Sequence, residues 1–144
     1  MPSQNYANHR KYVPLFHGGL FLLLVLTLIG GCVNLYQSLG DHQRVYSASL
    51  LVVLTVGVII LFFFCRIFAL KAQDRAIRAE ENLRHFVLTG KLLDPRLSVR
   101  QTIGLRFAPD DELPALARRA VAENLSEDAI KREIKNWKAD EYRV

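Results

Sequence analysis

The sequence predicts an all-α protein: a transmembrane helical hairpin whose second span extends into the cytoplasm, followed by a small cytoplasmic helical domain. Three observations predict it. Residues 13–70 hold only three charges, Asp41, Arg44 and Arg66, whereas residues 71–144 are dense in Lys, Arg, Asp and Glu. Two apolar runs are each long enough to cross about 30 Å of hydrocarbon as a helix. Beyond them, apolar residues recur at helical spacing between turn signals. The 51% apolar fraction of the 144 residues is close to a soluble average, so the mean hides two halves suited to different media.

The first span is read over residues 13–39, with the core LFLLLVLTLIGGCVNLY, and the second over residues 45–70, with the core SLLVVLTVGVIILFFFC. A soluble helix of either kind would expose apolar surface all round. Residues 40–44, Gly-Asp-His-Gln-Arg, form a short external loop that can only join antiparallel neighbours. Residues 1–12 and everything after residue 70 then share one side. Arg10 and Lys11 precede the first span, and Arg66, Lys71, Arg75 and Arg78 follow the second, while the loop carries Arg44 beside Asp41. That Lys/Arg bias predicts both termini in the cytoplasm. Tyr12, Tyr36 and Tyr46 fall where interfacial aromatic anchors are expected.

Cys32 lies toward the outer end of the first span and Cys65 near the inner end of the second. At 1.5 Å per residue they differ in depth by roughly 20 Å, too far for a bridge, so buried inert thiols are expected. Ile29-Gly30-Gly31-Cys32 after Arg10-Lys11 also reads as a lipoprotein signal with an acylated Cys32. The apolar run continues through Val33-Asn34-Leu35-Tyr36, which favours one uninterrupted span. His17, Asn34 and Arg66 lie within a turn or two of an interface, where they reach water or snorkel. At mid-depth only Thr27, Thr55 and glycines interrupt the apolar pattern, which does not write a proton relay or a charged pore. Gly18, Gly19, Gly30, Gly31 and Gly57 permit close helix approach.

Neither Gly nor Pro occurs between Gly57 and Gly90, so the second span is expected to continue as one helix through residues 71–92. Asp74 to Arg78, Glu80 to Arg84 and Glu81 to His85 are i,i+4 pairs that support it. Ile67, Leu70, Ile77, Leu83, Phe86 and Val87 give an imperfect apolar stripe, and Thr89-Gly90 a left-handed stop.

Residues 93–144 read as a small helical domain. Asp94-Pro95 suggests a cap and a first-turn proline for a helix over residues 97–107, yet Leu97, Val99, Gln101, Ile103, Leu105 and Phe107 also alternate as a strand would. A lone strand would have no partner, which favours the helix. Asp111 is the expected cap of the next helix, with Pro114 in its first turn and Leu113, Leu116, Ala117, Ala120 and Val121 on its apolar face. Asn124 closes it. Ser126 caps a last helix bearing Ile130, Ile134 and Trp137, and the two form a helical hairpin. Trp137, Phe86, Phe107 and Leu113 are the expected buried contacts.

The hairpin invites comparison with a DNA-reading helix-turn-helix. Lys131, Arg132, Lys135 and Lys138, however, alternate with Glu127, Asp128, Glu133, Asp140 and Glu141, and the last helix opens on Glu-Asp. From Arg66 onward 16 Lys/Arg face 13 Asp/Glu, a mixed surface rather than a basic one. No nucleic-acid partner is therefore expected. A phosphate-cradling loop, a CxxC pair, HExxH and a nucleophile elbow are all absent from the sequence. The four histidines, His9, His17, His42 and His85, are scattered. No catalytic residue, metal site or cofactor is indicated.

The segments QNYANHRKYVPLFH, AQDRAIRAEENLR and LRFAPDDELPALARRAVAENLSEDAIKREIKNWKAD resemble an uncharacterised family of small bacterial two-span membrane proteins. That resemblance implies a two-span protein of the bacterial inner membrane and no particular activity. Two helices bury little surface against each other, so a homo-oligomer or docking onto a larger complex is expected. The reading is a non-catalytic membrane protein, a self-assembling scaffold or an accessory subunit of a larger membrane complex. The alternative is a homo-oligomeric channel, against which the apolar mid-spans count. Arg66, His17, Lys71, Arg75 and Trp137 are the expected lipid-contact or interface residues.

Overall fold

The computed structural model describes residues 4–9 and 11–140. Arg10 and Glu141, two of the charges weighed above, lie outside the described residues. A π-helical stretch, Leu15–Leu20, runs without a break into α1 (Phe21–Gln37). It is followed by α2 (His42–Thr89), α3 (Val99–Leu105), α4 (Leu113–Ala122) and α5 (Glu127–Glu133). There is no strand among the described residues. The chain divides into two compact units. One is Tyr12–Phe68; the other joins the N-terminal residues through Lys11 to Ala69 onward.

In the first unit, Pro14 opens the helical run, where its missing N–H costs nothing. Leu15–Gln37 and α2 are both long and apolar enough to cross a membrane, and only 11% of the most apolar window of each is buried. The connection is tighter than residues 40–44. Asp41 Oδ1 accepts from the N–H groups of Gln43 and Arg44 at 3.1 and 3.2 Å, which draws His42, Gln43 and Arg44 into the first turn of α2. Gly40, at φ +103°, turns the chain. Close approach of α1 to α2 centres on Gly31, where a Cβ would lie 3.3 Å from Val52. Leu24, Ala48 and Thr55 are buried nearby in the sequence of that seam, and Phe16 stacks on Phe62 at 4.4 Å. Of the other glycines, Gly30 and Gly57 face open space. Thr27 and Thr55 each donate their hydroxyl to the carbonyl four residues earlier. Cys32 and Cys65 are free, but both are exposed rather than buried, because they lie on helix faces that none of the other described residues covers.

In the second unit, α2 runs uninterrupted to Thr89, and Gly90 at φ +72° ends it as expected. Asp94-Pro95 does not open a helix. The chain turns there, with the Leu97 N–H donating to the Asp94 carbonyl at 3.0 Å, and the Asp94 carboxylate holds Arg96. α3 begins instead after Ser98, whose hydroxyl accepts from the Gln101 N–H while the Gln101 side chain accepts from the Ser98 N–H. Residues 97–107 are therefore helical at their centre. The strand-like alternation has a simple cause: Gln101 through Leu105 are all buried, so α3 is covered on every side and shows no amphipathic stripe.

Glu112, not Asp111, occupies the cap position of α4, and Pro114 follows in its first turn. The Glu112 carboxylate reaches elsewhere, accepting from the N–H groups of Lys135 and Asn136 at 3.0 and 3.1 Å. Leu113, Leu116, Ala117 and Ala120 are buried as expected, with Val121 packed beside them. Asn124, at φ +48°, ends the helix, and Ser126 caps α5 through the Ala129 N–H. α5 has only seven residues. Ile134 and Trp137 thus reach the core from beyond the helix, and the second arm of the expected hairpin is short. α3 is the centre of the group, packed against both α4 and α5. Leu105, Phe107, Leu113 and Ile130 form the fully buried heart of the core.

Two expectations fail here for one reason. Phe86 is 50% exposed rather than buried, and among the described residues none of the three i,i+4 pairs on α2 forms. The face of α2 that packs inward carries Ile77, Glu81 and Arg84, and long-range partners win Arg84 from Glu80. His85 Nδ1 meets the Lys91 carbonyl at 2.7 Å instead of Glu81.

Gly104 gives this packing a sharp test. A Cβ there would meet the Glu127 carbonyl oxygen and Ile130 at 3.2 Å, the first of them backbone that cannot step aside. Gly104→Ala is expected to destabilise the helical unit by about 1–3 kcal/mol, while Gly30→Ala, with open space around it, leaves thermal melting of the detergent-solubilised protein unchanged.

Candidate functional site

The second unit brings together most of the charged side chains with defined partners. Arg84 is its principal fastener. Its guanidinium donates to Glu81 at 3.0 Å on the same helix, to Asp110 at 2.7 Å and to the Ala108 carbonyl at 2.7 Å. The last two acceptors lie on the connection between α3 and α4, so one side chain ties α2 to the bundle. Glu81 is buried, and that burial raises its pKa above the ordinary carboxylate value, with Arg84 opposing the shift.

Gln101 is the second fastener. Its amide NH₂ donates to the Leu125 carbonyl at 2.9 Å and lies 3.4 Å from that of Ala120, so one buried amide caps the start of α3 and the end of α4. The Ser-Val-Arg-Gln spacing of a capping box was the available signal for its first role; its second is visible only in three dimensions.

The N-terminal segment packs on this bundle. His9 lies 5.8 Å from Phe107 and 5.9 Å from Trp137 between ring centroids, and Phe107 and Trp137 are 4.9 Å apart. His9 Nδ1 faces the Tyr6 carbonyl at 2.7 Å. A carbonyl only accepts, so Nδ1 carries the proton and Nε2 accepts from Lys131 Nζ at 3.2 Å. Lys131 is itself buried and paired with Glu127 at 2.5 Å. Tyr6 stacks under Arg132, and Gln4 accepts from the Asp140 N–H at 2.7 Å. Arg106, its side chain only 10% exposed, lies over the Phe107 ring and pairs with Asp140 at 3.0 Å. Burial lowers its pKa, and the Asp140 charge pulls it back up.

Beside Arg106 is a small cavity of about 190 Å³, bordered by Gln73, Glu80, Glu81, Lys138 and Asp140. The Gln73 amide oxygen is buried there without a hydrogen-bond partner. The cavity's charges are largely compensated by Arg84–Glu81 and Arg106–Asp140, so they hold elements together and leave little net field for a ligand. A wider groove runs between the end of α2 and α4, past His85, Leu92, Pro95, Pro114 and Arg118. Among the described residues, no three His, Cys, Asp or Glu side chains are grouped to hold a metal ion.

The residues singled out from the sequence do not form one site. His17 is half-buried and satisfied locally, its Nδ1 3.0 Å from the Val13 carbonyl and its ring stacked on Tyr12 at 4.8 Å. Arg66 is half-buried on α2; Lys71 and Arg75 are exposed on the same helix. Trp137 alone joins the aromatic cluster. The charged residues that do hold the unit together, Glu81, Arg84, Arg106 and Lys131, had no sequence signal that separated them from their solvated neighbours.

Removing the fastener strands a buried carboxylate. Arg84→Met is expected to destabilise the unit by about 3–5 kcal/mol, read by hydrogen exchange across residues 97–138. Glu81 makes the opposite kind of contribution to that of a paired surface acid. Its folded pKa is raised, so the folded state binds its proton first and gains stability as pH falls through that value toward 4.5. Asp94, held down to about 2 by Arg96, contributes stability that is lost only as pH falls below its ordinary value near 3.8. Between pH 7 and 4.5 the melting temperature of the wild type is therefore expected to rise relative to Glu81→Gln, and parallel pH profiles would contradict this.

Comparison with curated proteins and with solved structures finds no match. Over residues 1–144 the chain matches the family described as "Family of unknown function (DUF6526)", and it belongs to that family.

Proposed function

We propose that the chain is a non-catalytic integral membrane protein of the bacterial inner membrane, acting as a self-assembling scaffold or as an accessory subunit of a larger membrane complex. The observation that carries this reading is the uncovered surface of the two apolar helices, of whose most apolar windows only 11% is buried. Surface of that extent and composition needs lipid or protein around it. The packing of the N-terminal residues into one unit with the chain after Ala69 supports antiparallel spans with both ends on one side. Lys11, Lys71, Arg75 and Arg78 next to those ends, against Arg44 paired with Asp41 in the connection, support a cytoplasmic location for that side.

The helical unit is the docking part of this reading. Its internal charges are used for cohesion, which fits a scaffold better than a reaction centre. A conducting pore is disfavoured, because the Thr27 and Thr55 hydroxyls are turned onto their own backbone.

The mass of the particle extracted in native lipid nanodiscs tests the proposal. A homo-oligomer, or co-extraction with other subunits at fixed stoichiometry, is the expected result. A lone monomer with unhindered lipid all round would overturn it.

A further inference from the structure

Beyond Ala69, α2 carries a second face that its own unit leaves uncovered. Ile77, Glu81 and Arg84 pack inward. On another side of the same turns lie Ala69, Ala72, Ala76, Ala79, Leu83 and Phe86, at alternating spacings of three and four residues. Ala72, Ala76 and Ala79 are exposed, and Leu83, Phe86 and the flanking Val87 are 63%, 50% and 74% exposed. Large apolar side chains this open, on a stretch otherwise rich in charge, mark a surface that meets something.

We propose that residues 69–87 of α2 pair in parallel and in register with the same segment of a second copy of this chain. The inference rests on the self-assembly reading above and says where that assembly is made. The spacing is one argument. Alternating steps of three and four give the 3.5-residue repeat of a two-stranded coiled coil, with Ala69, Ala76 and Leu83 as one set of knobs and Ala72, Ala79 and Phe86 as the other. Ile77, Glu81 and Arg84 face inward, whereas Ala76 and Glu80, both exposed, stand on the boundary, beside the cavity that Arg106, Lys138 and Asp140 also border, so the seam adjoins the bundle-facing side of α2 along that one edge.

Charge supplies the argument for a second copy over any other occupant. Arg75 and Glu80 flank the seam on opposite edges, five residues apart, the offset at which the two flanks of a parallel pair meet across the interface. Among the described residues neither is in an ion pair within the chain. A second copy in register satisfies each Arg75 with the partner's Glu80, twice by symmetry. An antiparallel arrangement places like edges together and loses both pairs. A lipid surface rewards bases on both edges and leaves Glu80 facing anionic headgroups. Alanines at four positions let the two backbones approach closely at the end nearer Ala69, and Leu83 and Phe86 fill a wider gap below.

The test is a cysteine scan of the full chain in membranes, after Cys32→Ala and Cys65→Ala, with copper-phenanthroline oxidation and non-reducing gels. Disulfide-linked dimers are expected with Ala76→Cys, Ala79→Cys, Leu83→Cys and Phe86→Cys, at several-fold higher yield than with Arg78→Cys or His85→Cys. Arg75→Glu is expected to cut the Ala79→Cys yield several-fold, and adding Glu80→Arg to restore it. A flat profile, a maximum at Arg78 and His85, or failure of the charge reversal to rescue would overturn the seam, as would products of another mass. A homo-oligomeric particle lacking the periodic pattern overturns the seam and leaves self-assembly standing, whereas a monomeric particle removes both.

Discussion

Three short helices of seven, ten and seven residues bury too little to stand alone, and Arg84 is the bond that relieves them of having to. One guanidinium spans from Glu81 on α2 to Asp110 and the Ala108 carbonyl on the α3–α4 connection. With that link in place, Ile77 closes one side of the bundle and the N-terminal segment another. Without it, the buried Glu81 carboxylate loses its ion-pair partner. The rest of the unit is arranged around this dependence: Gln101 ties the ends of α3 and α4, Glu112 ties the chain after α5, and Arg106 lies between Phe107 and Asp140. Each is a buried or half-buried polar group serving a helix terminus or a neighbour's charge.

The apolar unit is held differently. Its polar groups are satisfied by the nearest backbone, as with Thr27, Thr55 and His17, and its close contacts are glycine against valine and ring against ring. Nothing in it resembles the long-range ion pairs of the other unit. The contrast follows composition. Residues 13–70 hold three charges, so short local bonds and shape hold the apolar unit together. The charge-rich unit recruits ion pairs that cross long distances in the chain.

How much of this was readable in the sequence follows the range of the interaction. Helices set by local chemistry were legible: the two apolar runs, the stop at Gly90, the Ser126 cap, the turn at Asn124 and the apolar face from Leu113 to Ala120. Elements set by burial were less so. α3 lacks a stripe because every side of it is covered, which made its residues alternate like a strand. Ile134 and Trp137 fall in helical register yet reach the core from non-helical chain, since Glu112 captures the N–H groups of Lys135 and Asn136. The candidate site was harder still. Arg84 was read as the partner of Glu80 one turn away, and only the fold reveals that Asp110 and Ala108 stand in reach. His9 showed no signal at all, because its ring stacks on residues about a hundred positions later.

That last distance governs the order in which the molecule can be completed. Gln4 bonds to Asp140 and His9 to Lys131, across 136 and 122 positions. Residues 4–9 must therefore wait for a stretch made 122 to 136 positions after them, while α1 and α2 form locally in the meantime. Closing so large a loop is entropically slow to begin and pays back only when Phe107, Trp137 and Lys131 are assembled to receive it. Residues 4–9 are thus the latch of the helical unit, which stays unfinished until the stretch from Lys131 to Asp140 is in place to receive them.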